Sequence, residues 1–441
     1  MREVTLAIDK LTFGGAGLGR VDGLVCFVPF TAPGDEVRIR IIRQKRSYLE
    51  GELLEILVPS PLRTSPPCPV FGRCGGCNWQ HLNYPAQLAA KDDIFAETLW
   101  RGGRVGREVL LPTLGAPAPF GYRSRVQLKL HLADGELHMG FYRTGSHFVV
   151  AIPGQCAIAD PTINRLIGEL RTLLPSFPEV SRLPQIDIAV GDDGTALLIF
   201  HFIGNDPAIL HNFLIRHVDS LPSASGLYLQ TGRKSSLSWV AGLEKLTYRI
   251  PASILPGLPE TSLSFSRGGF SQVNYRQNLE LLSTVVQWAA LEGTERVLDL
   301  YCGNGNFSIP LARLVSHVIG IEEYGPSIDD ARINCTINGV ENVSFDCQGA
   351  AAGVQALVAA HETFDLVLLD PPRSGAAEVM PLLARLTPRA IIYISCDPMT
   401  LARDLGILRG HGYGVVKSRP IDMFPQTYHI ESITLLEPCD R

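Results

Sequence analysis

Short strand-sized stretches rich in apolar positions follow one another through residues 1–58, and clusters of glycine, proline and aspartate separate them. Short strands are expected at 4–11, 24–30, 37–46 and 49–57, separated by Gly14-Gly15-Ala16-Gly17, Asp22-Gly23 and Ala32-Pro33-Gly34-Asp35. Strands of this length and spacing predict a small closed barrel of the OB type. In the third of them Val37, Ile39 and Ile41 alternate with Arg38 and Arg40, and Arg43, Lys45 and Arg46 follow. That row would face outward. It fits an RNA backbone and a plain solvated face about equally. The run Gly14–Gly19 resembles a nucleotide loop, but no helical pattern follows it, so a glycine-rich hairpin is expected.

A proline-rich stretch from Pro59 to Pro67 leads into three clustered cysteines, and residues 84–99 then carry a helical pattern. Residues 120–265 look strand-rich, with hairpin punctuation at Ala133-Asp134-Gly135 and Gly191-Asp192-Asp193-Gly194. From Thr294 the pattern changes. Strand-sized apolar runs at 296–301, 317–322, 343–347, 364–369 and 390–395 alternate with helical stretches near 307–315, 326–338, 376–386 and 399–408. Such a succession predicts an α/β doubly wound, mainly parallel sheet. The expected architecture is multidomain: an OB-like β-barrel at 1–58, a β-rich central domain at 59–265 and the α/β domain at 266–441.

With 441 residues, 46% hydrophobic and 19% charged, the chain can fill two or three cores. The first residues carry charges where a signal peptide would be apolar, and no apolar run is long enough to span a bilayer. A soluble, cytoplasmic protein without a membrane partner is expected. In that setting ten cysteines do not suggest a disulfide framework. The spacing Cys68-x5-Cys74-x2-Cys77 points to a metal or a cluster instead. The net charge of −5 argues weakly against nucleic acid. Its distribution is uneven: residues 61–150 carry +4 and residues 290–441 carry −8. An RNA-gripping front half joined to a small-molecule domain fits this, as does ordinary surface variation.

The first α/β strand runs into Asp299-Leu300-Tyr301-Cys302-Gly303-Asn304-Gly305-Asn306-Phe307, and the next ends in Gly320-Ile321-Glu322. Glycines there admit a ligand to the backbone, and the acidic strand end suits ribose hydroxyls. Dinucleotide binders share these features. Three further segments do not belong to that pattern: Asp370-Pro371-Pro372-Arg373, Tyr393-Ile394-Ser395-Cys396-Asp397-Pro398 and the run Asp422-Met423-Phe424-Pro425-Gln426-Thr427-Tyr428-His429-Ile430-Glu431.

With Phe270-Ser271-Gln272-Val273-Asn274 upstream, these segments resemble, in order, those of the RNA uracil-5-methyltransferases. The front half resembles the branch with an N-terminal TRAM barrel and a [4Fe-4S] cluster, so the resemblance spans nearly the whole chain. It implies an α/β methyltransferase domain that takes S-adenosyl-L-methionine as methyl donor. Cys396 is then the nucleophile that adds to carbon 6 of uracil, and Glu431 the base that removes the carbon 5 proton. Alone at a strand end, Cys396 reads as a packing residue; the surrounding motif reverses that. Asp397 stands where the family commonly has Asn.

The resemblance further assigns Gln272, Tyr301, Asn306, Glu322 and Asp370 to the cofactor, with Phe270 stacking on a flipped base. Relatives often carry an acidic or amide residue near the adenine, where this chain reads Gly349-Ala350-Ala351. Cys68, Cys74, Cys77 and Cys156 match the four cluster ligands. Their spacing alone suits zinc as well as iron and sulfur; the resemblance favours [4Fe-4S], in a structural role. Cys302, Cys335 and Cys347 are expected to be packing residues.

The implied partner is structured RNA, with 23S rRNA ahead of tRNA, and no protein partner is implied. The rival from another class is a non-catalytic RNA-binding or ribosome-assembly protein on a degenerate fold. The joint presence of Cys396, Glu431, Asp370 and Gln272 speaks against it. A cytosine-5 methyltransferase would want Thr-Cys-x-x-Pro, which is absent from the sequence.

Overall fold

The computed structural model describes residues 2–232, 236–255, 257–266 and 271–439. Strands β1 (Glu3–Leu11), β2 (Gly17–Val21), β3 (Leu24–Val28), β4 (Glu36–Gln44) and β5 (Tyr48–Val58) close a barrel in the order β1-β2-β3-β5-β4, with β4 pairing back to β1. Leu6, Ile8, Val21, Cys26, Val28, Val37, Ile39 and Leu49 fill it, every second residue turning inward. The strand missing from the sequence reading is β2, the far arm of the expected glycine hairpin. There Thr12 N–H donates to Ala16 O at 2.9 Å and the chain reverses without a helix. The outward arginines of β4 are matched across β5: Arg38 to Glu55 at 2.6 Å, Arg40 to Glu52 at 3.3 Å and Arg43 to Glu50 at 3.3 Å. Exposed pairs of this kind add only ~0–1 kcal/mol each. They offset the charge of Arg38, Arg40 and Arg43 within the row.

Helix α1 (Tyr84–Gly103) starts at Asn83, whose side chain accepts from Ala86 N–H at 3.0 Å, and stops at Arg104 in the left-handed region. The central sheet comprises β6 (Arg125–Ala133), β7 (Glu136–Tyr142), β8 (Val149–Ala151), β9 (Gln185–Val190), β10 (Ala196–His201), β11 (Gly226–Gln230) and β12 (Leu237–Gly242), in the order β12-β11-β10-β9-β6-β7-β8. Between its strands lie α2 (Pro161–Leu173) and α3 (Pro207–Arg216), each opened by an Asp cap and a proline. The region is therefore less purely β than its hairpin signals suggest. Ile163, Leu166, Ile167 and Leu170 of α2 have helical spacing and pack on Val126, Leu128, Ile186, Ile188, Leu198 and Phe200. The other face of β6 carries Arg125, Gln127 and Lys129.

A two-stranded ribbon, β13 (Lys245–Ile250) with β14 (Thr261–Ser266), and α4 (Tyr275–Ala289) lead into the last sheet. Its elements are β15 (Arg296–Leu300), α5 (Ser308–Ala312), β16 (His317–Glu322), α6 (Gly325–Asn338), β17 (Val343–Cys347), α7 (Ala350–Ala359), β18 (Leu366–Leu369), α8 (Met380–Leu383), β19 (Ala390–Ser395), α9 (Pro398–Gly410), β20 (Tyr413–Ile421) and β21 (Glu431–Pro438). The order is β17-β16-β15-β18-β19-β21-β20. The first five strands are parallel, as expected, and β21 inserts antiparallel between β19 and β20. Strand order reverses between β15 and β18, where sheets of this kind bind ligands.

Candidate active site

At that reversal the chain leaves β15 through Tyr301, a non-glycine residue at φ 62°, followed by Gly303 at 56° and Gly305 at 86°. Tyr301 N–H donates to Ile321 O at 2.8 Å, which ties the loop to β16. At the end of β16 Glu322 accepts from Gly303 N–H at 3.2 Å and from Tyr324 N–H at 2.8 Å. A side chain added at Gly303 or at Gly349 would meet nothing within 4 Å, so space stays open over the first loop and at the start of α7. Asn306, expected among the cofactor residues, is held from the side of α4 and β13. Its amide is bonded both ways to Asn278 at 3.0 Å and accepts from Tyr248 OH at 2.9 Å, so it braces the loop against α4 and β13.

Sequence reasoning passed over Asp299, the acidic residue just ahead of the loop. It is 1% exposed, and its Oδ1 has no hydrogen-bond partner among the described residues. Burial pushes its pKa up to about 7, helped by the charges of Asp370 and Glu322. An orphaned buried carboxylate oxygen, two further acids and an open glycine cradle fit a cationic nucleoside, which S-adenosylmethionine is. Next along the edge, Gln272 Nε2 donates to Asp370 Oδ2 at 3.3 Å, bringing two of the expected cofactor residues together. Phe270 lies outside the described residues.

The nucleophile candidate sits one residue past β19. The antiparallel register pairs Ser395 with Ser432, so the next step in each strand sets Cys396 beside Glu431. Asp397 then caps α9, accepting from Met399 N–H at 2.9 Å and Thr400 N–H at 3.1 Å. An Asn there would accept the same bonds, which accounts for the tolerated exchange. Burial pushes the Cys396 thiol up to about 12, and the charges of Glu431 and Asp370 add to this while Arg373 opposes it. Glu431, 3% exposed, is held well above the carboxylate range by burial and by Asp370. Burial likewise raises Asp370 to about 7. Neither Arg373, which brings positive charge to this group, nor His429 was singled out from the sequence. His429 lies against Phe424 and Tyr428, and burial lowers its pKa to about 4, so the ring stays neutral at pH 7.

Cys68, Cys74, Cys77 and Cys156 line one cavity of about 990 Å³, which reaches Ser271, Phe424, Tyr428 and His429 at the active-site edge. Burial raises the Cys74, Cys77 and Cys156 thiols, with neighbouring thiol charge adding to it. Four thiolates would not coexist here without a bound cationic centre. Among the described residues no three His, Cys, Asp or Glu side chains form a ready site for a single metal ion. Cys302 and Cys335 pack as expected beside Ile328, Ala331 and Phe345, whereas Cys347 is exposed, a correction that follows from its place on the edge strand β17. Among the described residues no helix is long and apolar enough to cross a membrane.

A family model for tRNA (uracil-5-)-methyltransferases matches residues 260–439, and a TRAM domain model matches residues 1–54. The chain is 36% identical to the 23S rRNA (uracil(1939)-C(5))-methyltransferase RlmD of Alkalilimnicola ehrlichii, over 98% of this chain and 96% of that one. It is 35% identical to an uncharacterized RNA methyltransferase of Thermosynechococcus vestitus, over 98% and 97%. Among solved structures, the Pyrococcus abyssi tRNA (uracil-54, C5)-methyltransferase in complex with S-adenosyl-L-homocysteine superposes with a TM-score of 0.74 at 25% identity. That match covers 98% of this chain and 100% of the other.

Proposed function

The chain belongs to the family of S-adenosylmethionine-dependent RNA (uracil-5-)-methyltransferases, and from that premise we propose that it methylates carbon 5 of a uridine in 23S rRNA through a covalent Cys396 adduct. The observation that carries the mechanism is the neighbouring of Cys396 and Glu431 across β19 and β21, at the edge where Asp370 and Gln272 also end.

Carbon 5 of uracil is a weak nucleophile. The Cys396 thiolate adds at carbon 6, and the carbon 5–carbon 6 π pair moves toward the carbonyl at carbon 4, which makes carbon 5 nucleophilic. S-Adenosylmethionine, when bound, supplies an electrophilic methyl group on its sulfonium. Once carbon 5 carries both methyl and hydrogen, Glu431 takes the proton. The C–H pair restores the ring double bond, and the carbon–sulfur bond breaks with its electrons returning to Cys396. A carboxyl with a raised pKa suits this base, since it holds the proton it has taken. Glu322 would hold the ribose, with Tyr301, Asn306, Gln272 and Asp370 around the rest of the donor.

In the same reading residues 1–58 form the TRAM unit, 59–265 the central unit and 266–441 the methyltransferase unit. Cys68, Cys74, Cys77 and Cys156 would hold a [4Fe-4S] cluster in a structural role. Four thiols lining one cavity support that reading. The name of the Alkalilimnicola relative, at 36% identity, favours 23S rRNA; the tRNA-acting structural neighbour, at 25%, keeps a tRNA uridine as the second reading.

Mass spectrometry of rRNA and tRNA from cells with and without this protein is the test. We expect loss of 5-methyluridine at one 23S rRNA position, restored by the wild-type chain and not by Cys396→Ala. Loss confined to tRNA would overturn the rRNA assignment. Restoration by Cys396→Ala would overturn the nucleophile.

A further inference from the structure

Five consecutive carbonyls just ahead of β21, those of residues 422–426, each accept a hydrogen bond from a residue at position 277 or earlier. Gln277 Nε2 donates to Asp422 O at 3.0 Å, Asn274 Nδ2 to Met423 O at 3.2 Å and Lys91 Nζ to Phe424 O at 3.2 Å. Tyr122 OH donates to Pro425 O at 3.0 Å, and the N–H groups of Asn78 and Trp79 both donate to Gln426 O at 3.0 Å. The side chains repeat the pattern. Lys91 Nζ lies 2.5 Å from Asp422 Oδ1 with both side chains fully buried, and Tyr84 OH donates to the other Asp422 oxygen at 2.8 Å. Gln87 accepts from Gln426 N–H and donates to Gln426 Oε1, each at 3.0 Å.

This segment has no strand partner of its own. Gln426 sits at φ 68°, a conformation a glutamine holds only when its surroundings over-determine it. Five residues after the end of this clasped run comes Glu431. The donors Asn78 and Trp79 directly follow Cys77, and Gln87 and Lys91 lie one turn apart on α1.

We propose that the stretch from Asn78 to Lys91 is a positioning clamp for the 422–431 segment, and that it sets Glu431 in reach of carbon 5 for the release step. Gln87 and Lys91 are then positioning residues of the methyl-transfer reaction, although they lie far from the α/β domain in sequence. The mechanics are simple. A segment bonded at each carbonyl cannot slide past its neighbours, because every carbonyl would lose its donor together. Releasing Gln426 frees the segment at its left-handed residue, the point where a rotation would displace everything up to Glu431. The inference rests on the reading of Glu431 as base.

The test uses the full-length protein, radiolabelled S-adenosylmethionine and the RNA fraction, ribosomal or transfer, that the wild type methylates. Gln87→Met removes both side-chain bonds to Gln426. Gln426→Met removes one of these, together with the donation of Gln426 Nε2 to Pro119 O at 3.5 Å, and keeps the backbone contacts, so it serves if the first variant does not fold. Thermal melts identify folded protein. For a folded variant the clamp predicts protein–RNA adduct resistant to denaturant at roughly tenfold or more above wild type, with kcat reduced and the KM for S-adenosylmethionine within about twofold. Gln87→Glu keeps an acceptor for Gln426 N–H and is expected to recover part of the release rate. A role in stability alone would lower the melting temperature without accumulating adduct, and that result would overturn the clamp. Glu431→Gln is the control. If it traps adduct and neither Met variant does, the clamp fails and the base stands; if it traps none, the base assignment fails and the clamp with it.

Discussion

At the scale of single residues, the site sets Cys396 against its own ionisation. The thiol is raised to about 12 by burial first, then by the charges of Glu431 and Asp370. Asp370 in turn adds to the upward push that burial exerts on Glu431. Two close acids titrate as a pair, so the protein avoids carrying both charges at once near neutrality. Removing one acid lets the survivor ionise more readily, and a negative charge beside Cys396 remains. Glu431→Gln or Asp370→Asn alone should therefore change Cys396 alkylation by iodoacetamide little at pH 8. The double variant removes the charge altogether, which lowers the Cys396 pKa. A fall of about one unit gives roughly tenfold more thiolate, and the lower intrinsic nucleophilicity of the more acidic thiol trims this to about threefold. Peptide-resolved mass spectrometry separates Cys396 from exposed Cys347 and Cys439. Equal rates in the double variant and the wild type would show that the carboxyls do not act on the thiol. Cys396 and Glu431 could be put forward from the sequence because each lies in a contiguous segment with family character. Asp299 was not, because its role rests on the neighbourhood of Asp370 and Glu322, which only the sheet order creates.

At the scale of elements, α1 and α9 meet so closely that Gly102 lies against Ala402. A Cβ placed at Gly102 would come within 2.8 Å of the Ala402 Cβ, and one at Gly103 within 3.0 Å of Ala402 O. Since α9 begins two residues after Cys396, a wedge here displaces the helix that follows the proposed nucleophile. Gly102→Val is expected to cost ~1–3 kcal/mol by overpacking, seen as a lower melting temperature, and to slow adduct formation. Gly406→Ala is the comparison. A Cβ there has only the carbonyl oxygen of Gly102, at 3.6 Å, within 4 Å, and the substitution should leave both measurements near wild type.

The elements themselves were unevenly legible. The parallel strands β16, β17 and β19 stand at the bounds expected for them, and β19, buried along its whole length, is written as a short unbroken hydrophobic stretch. Helix α7 is alanine-rich with weak periodicity and left no pattern to read. Helices α2 and α3 were masked by the hairpins around them. Their capping residues, Asp160 before Pro161 and Asp206 before Pro207, were the signal available. Strands β20 and β21 flank residues 422–430, and the insertion of β21 between β19 and β20 is a tertiary fact.

At the scale of the whole molecule, changes of pattern near residues 58 and 265 divide the chain more sharply than its packing does. One hydrophobic core joins Trp79, Leu82, Ile94, Phe95 and Leu99 to Leu401, Leu405, Ile430 and Leu436. A second joins Leu197, Ile199 and Tyr228 of the central sheet to Val297, Val318 and Leu368 of the last one. Even the barrel takes part: Trp79 Nε1 donates to Gly15 O at 3.0 Å, and a side chain at Gly15 would press to within 3.0 Å of Tyr428. Burying a large apolar side chain is worth about 1.5–3 kcal/mol, so losing the first five residues of the shared core removes on the order of 10 kcal/mol. A domain has only about 5–15 kcal/mol in total. Residues 266–441 expressed alone should therefore fail to melt cooperatively and should lose donor binding, although they contain every residue assigned to donor and base. Supplying residues 1–265 as a separate chain should restore a soluble complex that methylates RNA, because the missing surface is then returned without a covalent link. The measurement is a calorimetric melt of the fragment with and without its complement, alongside S-adenosylmethionine binding. A fragment that melts in one sharp transition and binds the donor as tightly as the full chain would show that the α/β unit stands alone. Glu431 would then owe its position to β21 rather than to the front half of the molecule.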